Sequence, residues 1–150
     1  MKKLSVILLS LCLVFCATSV FAGEDVESKE RVPGGLPWII FIPHYDVSPD
    51  WWSGLVVMNV SSGANQGTVW VYDDQGYLSG QEWFDIVLAG VSKKTVMLSK
   101  HGESPNVLRT GSDRGYLMIE SEQRMMAFIN FGQTAAGGGV TTLGPFWSYR

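Results

Sequence analysis

The sequence predicts an all-β fold: a single antiparallel β-sandwich of seven or eight strands, immunoglobulin-like or jelly-roll-like. Short runs of β-branched, aromatic and aliphatic residues recur along the chain, separated by Gly, Pro, Asn and Asp. No stretch of a dozen residues keeps the apolar spacing of an amphipathic helix. Parallel α/β folds need crossover helices, whereas short strands at regular spacing are typical of sandwiches and small barrels.

The first four strands are predicted from the following runs. Trp38–Ile42 is a continuous apolar run of strand length, and Leu55–Val60 follows with the same character. Thr68–Tyr72 is rich in β-branched and aromatic residues. Asp73–Gly76 has the composition of a turn, which reverses the chain into Trp83–Leu88. Apolar residues alternate along this last run and predict one buried face.

The remaining strands follow the same logic. Thr95–Leu98 predicts a fifth strand, and the polar segment Lys100–Arg114 predicts a long loop. Tyr116–Glu120 and Met125–Phe131 are clear strands, because both are dominated by apolar and aromatic residues. Val140–Leu143, ahead of Pro145, completes an eighth. The sandwich domain is therefore predicted over residues 36–150.

The N-terminus predicts a bacterial export signal over residues 1–22. A basic start, Met1–Lys3, precedes the apolar segment Leu4–Phe15, and Val20–Ala22 fits a cleavage site before Gly23. The alternative is an uncleaved anchor over Leu4–Ala22, the only membrane contact that the sequence suggests. The sequence thus favours a periplasmic or secreted protein.

The chain after the signal has a distinct chemistry. Both cysteines, Cys12 and Cys16, fall inside the signal, so no disulfide is expected in the remaining 128 residues. Gly23–Gly35 is charged and then rich in Pro and Gly, which predicts a flexible leader. Nine basic and 14 acidic residues follow residue 22, a net charge of −5. This charge disfavours a nucleic-acid partner.

Catalytic and metal-binding signals are weak. His44 lies near Asp46 and Asp50, but one histidine with two carboxylates on a loop does not define a metal site. Glu120 and Glu122 are interpreted as part of a solvated face. We expect no cofactor, no metal and no catalytic residue. The alternative from another class is a small envelope hydrolase that uses Asp or Glu together with His44.

Aromatic residues provide the strongest binding signal. Trp51 and Trp52 are adjacent at a strand entry, and successive side chains on a strand point to opposite faces. If Trp52 packs inward, Trp51 is left at the rim, and the C-terminal aromatic residues raise the same argument. Exposed rings beside hydrogen-bonding groups suit sugars, peptides or a second subunit. The candidate binding residues are His44, Tyr45, Asp50, Trp51, Trp147 and Tyr149.

Four segments carry a resemblance to a known type of module. They are Phe41–Tyr45, Trp51–Val60, Val71–Gly76 and Gly115–Ser121. Together they resemble a bacterial secreted β-sandwich module with an Ile-Pro-His start, a Trp-Ser-Gly strand and an Asp-rich hairpin. The sensory rhodopsin transducer family is similar to the same layout, more distantly. The resemblance implies a non-catalytic sandwich that forms an oligomer, and it implies no particular ligand-binding residue.

These observations predict a non-catalytic exported module that binds protein or carbohydrate through aromatic residues at its rim, including by self-association. Two alternatives stay open beside it. One is the small hydrolase described above, and the other is a purely structural subunit of a homo-oligomer that assembles through its edge strands.

Overall fold

A computed structural model describes residues 33–102, 104–135 and 138–150, with the backbone alone for residues 80–85. The predicted signal and residues 23–32 of the predicted leader lie outside this part of the chain. Within it, no helix is long and apolar enough to cross a membrane. The strands are β1 (Trp38–Asp46), β2 (Trp51–Asn59), β3 (Asn65–Asp73), β4 (Leu78–Leu88), β5 (Lys93–Ser99), β6 (Val107–Arg109), β7 (Arg114–Ser121), β8 (Met125–Gln133) and β9 (Val140–Trp147).

The strands form two packed sheets, which confirms the predicted sandwich. One sheet has four strands in the order β1-β7-β3-β4, and the other has five in the order β6-β5-β2-β8-β9. Two details differ from the prediction. The segment predicted as a long loop contains the three-residue strand β6, and β6 pairs with β5 in the parallel direction. The described residues therefore form nine strands, with one parallel pair in an otherwise antiparallel framework.

The core lies between the sheets and follows the alternation of each strand. Leu55 and Val57 on β2 and Ala127 and Ile129 on β8 are fully buried toward the other sheet. On β4 the predicted alternation is confirmed at its described end, since Ile86 and Leu88 are buried and Val87 is exposed. The side chains of Trp83 and Phe84 lie outside the description. Burial of such aliphatic side chains contributes roughly 1.5 to 3 kcal/mol each before entropy is subtracted.

Two buried asparagines fix the crossing from one sheet to the other. Asn59 ends β2, and its amide group donates to the carbonyl oxygens of Gly63 (2.7 Å) and Ala89 (2.9 Å). Asn65 begins β3 and binds Gln123 through both side-chain atoms, each at 3.0 Å. These bonds satisfy backbone groups that the connection between sheets would otherwise leave unpaired.

The end of the predicted leader is attached to the domain. The backbone N–H of Gly34 donates to the side-chain carboxylate of Glu120 on β7. Glu120 is only 2% exposed, so its interpretation as part of a solvated face is wrong. The alternation of β7 places it on the outer side of the four-stranded sheet, where its neighbours enclose it. Pro33 and Gly34 therefore form a turn that is fixed beside the sheet.

Candidate functional site

The six predicted binding residues do not form one site. On β8, Gln133 pairs with Trp51 and Met126 pairs with Trp147. These two β8 positions are seven residues apart, which is about 23 Å along a strand. His44, Tyr45, Asp50 and Trp51 thus occupy one end of the sandwich, here called the Trp51 end. Trp147 and Tyr149 occupy the other end, here called the Trp147 end.

Tyr45 is a core residue, so its prediction as a rim contact is wrong. The register of β1 against β7 shifts between Ile42 and Tyr45, which is a β-bulge. The bulge leaves both Pro43 and His44 exposed and returns Tyr45 to the interior with 0% exposure. Its hydroxyl group bonds Ser112 Oγ at 2.7 Å, and burial raises the pKa of the phenol.

His44 and Asp50 are exposed, but they have separate surroundings. The imidazole of His44 stacks on the ring of Phe131, with 5.7 Å between ring centres. Asp50 contributes its backbone carbonyl, which accepts a bond of 2.9 Å from the N–H of Thr134. Among the residues that the structure describes, no three His, Cys, Asp or Glu side chains are grouped to hold a metal ion.

The sequence analysis considered Trp52 packed inward and Trp51 at the rim, but the two adjacent tryptophans have the opposite orientation. Trp51 shares the parity of Ser53 and Leu55, which face the core, and it is half-buried at the edge of that core. Trp52 lies on the outer side of the five-stranded sheet. Its indole covers Gly132 on the neighbouring strand so closely that a Cβ there would lie 2.2 Å from Trp52 Nε1.

Asp46 is a buried carboxylate at the Trp51 end. Its Oδ1 accepts bonds from the N–H (2.9 Å) and hydroxyl (2.6 Å) of Ser48, and its Oδ2 lies 2.9 Å from Arg114 Nε. Burial by itself would raise the pKa of Asp46, but the Ser48 bonds and the Arg114 guanidinium outweigh it and lower the pKa. Ser53 also bonds the Asp46 backbone, so this group fixes the corner between β1 and β2.

An open acidic cleft of about 420 Å³ borders this corner. Asp73, Asp74 and Asp113 line it together with Arg114. Lys100 pairs with Asp113 at 3.2 Å, and the Asp73 carboxylate accepts backbone bonds within its own turn. The carboxylates of Asp73 and Asp113 therefore serve local structure.

The Trp147 end combines indole rings with guanidinium groups. The guanidinium carbon of Arg124 lies 5.8 Å from the ring centre of Trp38 and 5.8 Å from that of Trp147. Arg150 lies 4.8 Å from the Trp38 ring centre. All three distances are in the range of cation–π attraction. Trp147 and Tyr149 are 50% and 56% exposed, so their rings are accessible to a ligand.

An open cleft of about 400 Å³ adjoins these groups, and no local sequence pattern indicates it. Its residues come from the start of β1, from the connections β2–β3 and β7–β8, and from the last residue, Arg150. The lining residues are Trp38, Val60, Ser61, Glu122, Gln123, Arg124 and Arg150. Trp38 and Arg124 are 86 positions apart in the sequence. They meet because β1 pairs with β7, the strand that precedes Arg124.

The outer side of the five-stranded sheet is a second feature that sequence reasoning missed. Alternation places apolar side chains there on three adjacent strands, where solvent-facing strands normally carry polar residues. The pairs Val56–Phe128 and Met58–Met126 lie side by side across β2 and β8. We call this surface the outer face, and its members are Trp52, Val56, Met58, Met97, Met126 and Phe128.

Comparisons with known proteins bear on the fold. No family model and no curated protein matches the sequence. Among solved structures, the crystal structure of Thermotoga maritima 1070 is similar to this chain, with a TM-score of 0.56 and 11% sequence identity. The match covers 77% of this chain and 95% of that one. At this identity the similarity shows a shared fold and nothing about activity.

Proposed function

We propose that this protein is an exported, non-catalytic binding module that self-associates, and that a second copy of the chain covers its outer face. The observation that carries the proposal is the apolar composition of that face on β5, β2 and β8. A contiguous exposed apolar surface commonly marks an interaction site. The competing hydrolase requires His44 to meet two carboxylates, whereas the contact that the structure gives His44 is the Phe131 ring.

The chemistry of the face suits a protein surface. Its residues are methionine, valine and aromatic side chains, which adapt their shape and bury large areas. Most are half-buried by their neighbours, and Met97 at the margin is 42% exposed. A central interface region is typically enriched in these residue types and depleted in charge.

The charge pattern favours a second copy as the partner. Among the described residues of β2, β5 and β8 that point to this face, one is charged, Lys93. The neighbouring strand β6 adds Arg109 at the far edge. A twofold axis brings the same patch onto itself, so the apolar centre meets an apolar centre. The few cations at the margin then remain at the rim, where solvent screens them.

The area is also on the scale that a dimer requires. The outer face covers β5, β2 and β8, and the edge strand β9 lies beside β8. At a spacing of about 4.8 Å and lengths of about 23 to 30 Å, these four strands give a flat area of roughly 500 Å². Side-chain relief increases the accessible area beyond this flat value. A stable interface of standard size buries about 800 Å² on each partner.

A charge placed at the centre of the face tests this proposal. We expect sedimentation to show a concentration-dependent dimer for the exported protein and a monomer for Val56→Lys, because a dimer would bury the two new ammonium groups without partners. The matched control is Val87→Lys, which alters a 66% exposed valine on the other sheet and is expected to leave the dimer intact.

Two outcomes contradict the proposal. One is a wild-type protein that stays monomeric at hundreds of micromolar, and the other is a Val56→Lys variant that dimerises as well as the Val87→Lys control. Circular dichroism of both variants checks that the sandwich has folded.

A further inference from the structure

We infer that the cleft at the Trp147 end is a binding site for a carboxylated sugar, such as a uronic acid unit of an acidic glycan. The residues that line this cleft are not members of the outer face, and the two surfaces meet at Trp147, which pairs with Met126. The inference rests on the placement of Arg124 and Arg150 beside accessible aromatic rings.

Arg124 is held in position before any ligand arrives. Arg124 lies just before β8, and its guanidinium carbon is 5.8 Å from the ring centre of Trp38 and 5.8 Å from that of Trp147. Stacking on aromatic faces leaves the edge N–H donors of a guanidinium group available. A planar cation that is already oriented loses less conformational entropy when it binds an anion.

Neither guanidinium group forms an ion pair with a described carboxylate, although Glu122 lines the same cleft. Within residues 33–102, 104–135 and 138–150, neither Arg124 nor Arg150 forms an ion pair or a side-chain hydrogen bond. By contrast, Arg114 at the opposite end is paired with Asp46 at 2.9 Å. The arginines at the Trp147 end therefore offer donors in the fork geometry that matches a carboxylate.

The remaining groups favour a sugar over an acidic peptide. Trp38 lines the cleft, and Trp147, whose ring centre lies 5.8 Å from the Arg124 guanidinium, is 50% exposed. The apolar face of a pyranose packs against such rings. Ser61, Glu122 and Gln123 supply polar atoms that suit hydroxyl groups. The Glu122 carboxylate accepts bonds from sugar hydroxyls, which the side chains of an acidic peptide do not offer. The volume of about 400 Å³ is within the range of small-molecule sites.

The experiment measures binding of trigalacturonate to the exported protein by calorimetry and by tryptophan fluorescence. Galactotriose serves as the neutral sugar of equal length, and an oligoglutamate serves as the acidic peptide. We expect trigalacturonate to bind, and galactotriose to bind about tenfold or more weakly, because charge-assisted hydrogen bonds are lost. Binding should weaken as salt is raised.

Variants locate the site. Arg124→Gln should reduce trigalacturonate affinity about tenfold or more, and Arg124→Lys should give an intermediate loss because it keeps the charge without the fork. The matched control is Lys100→Gln, which removes the same charge at the opposite end. Thermal melts confirm that the variants are folded.

Three results would overturn the inference. They are no detectable binding of trigalacturonate, equal binding of galactotriose, and oligoglutamate binding as tight as trigalacturonate with the same dependence on Arg124. An Arg124→Gln variant that is folded and binds as tightly as Lys100→Gln would also overturn the placement of the site.

Discussion

Asp46 contributes to stability through its charged form. Hydrogen bonds from Ser48 and the Arg114 guanidinium favour the carboxylate despite its burial, and they lower the pKa of Asp46 in the folded protein. An acid with a lowered folded pKa stabilises the fold fully above its unfolded pKa, near 4. This contribution is lost as the pH falls through the folded pKa.

Replacement by Asn should therefore have a pH-dependent effect. We expect Asp46→Asn to lower the free energy of unfolding at pH 7 by about 1 to 3 kcal/mol, because the charge-assisted bonds are weakened. The difference from wild type should persist down to about pH 4 and shrink below it. Denaturant unfolding at pH 7 and pH 3 measures both values.

The control is Asp50→Asn, which changes an exposed carboxylate four positions away. Its effect should be within about 0.5 kcal/mol at both pH values. A cost for Asp46→Asn that stays the same at pH 3 would show that shape, rather than charge, explains its effect.

At the scale of elements, composition and alternation were enough to predict the sandwich. The apolar runs at β1, β2, β7 and β8 located four long strands, because a buried face leaves a direct pattern in the sequence. The strand β6 was missed because its three residues lie in a polar segment. Its pairing with β5 depends on tertiary contacts that no local pattern records.

The contrast between local patterns and tertiary contacts also explains which residues of the candidate site could be predicted from sequence. The bulge before Tyr45 reverses the expected alternation by one residue, and a bulge shows no reliable signal in a single sequence. Trp147 and Tyr149 were identified because exposed rings at a chain end are visible in composition. Their neighbour Arg124 was not identified, because the pairing of β8 with β9 brings them together.

One glycine tests how closely neighbouring strands pack. Gly115 on β7 has the backbone of β3 against it, and a Cβ at this position would lie 1.9 Å from the carbonyl oxygen of Tyr72. Backbone atoms of two paired strands cannot move apart without loss of hydrogen bonds. We expect Gly115→Ala to destabilise the protein by about 3 kcal/mol or more, as measured by thermal or denaturant unfolding.

Gly139→Ala is the matched control, since a Cβ at Gly139 meets no atom within 4 Å. We expect a change of less than about 0.5 kcal/mol there. Equal stabilities for the two variants would contradict the close approach of β3 to β7.

At the scale of the whole molecule, the proposed export predicts a defined processed form. We expect the protein recovered outside the cytoplasm to begin at Gly23 and to have the mass of residues 23–150. This form has no cysteine, so its melting temperature should not change when a reductant is added. Intact-mass measurement and paired melting curves check the two statements, and a retained N-terminus would favour the anchor instead.

The order of strands within the sheets also has a consequence for the timing of folding. β1 and β3 are joined through β7, and β2 and β8 are the central pair of the other sheet, so strands far apart in sequence must meet. Contacts between distant residues slow folding. A ribosome that has reached residue 110 has produced neither β7 nor β8, and so neither sheet can close. The nascent chain thus stays unfolded until most of it has been synthesised. An unfolded chain is the form that the proposed export through a translocation channel requires.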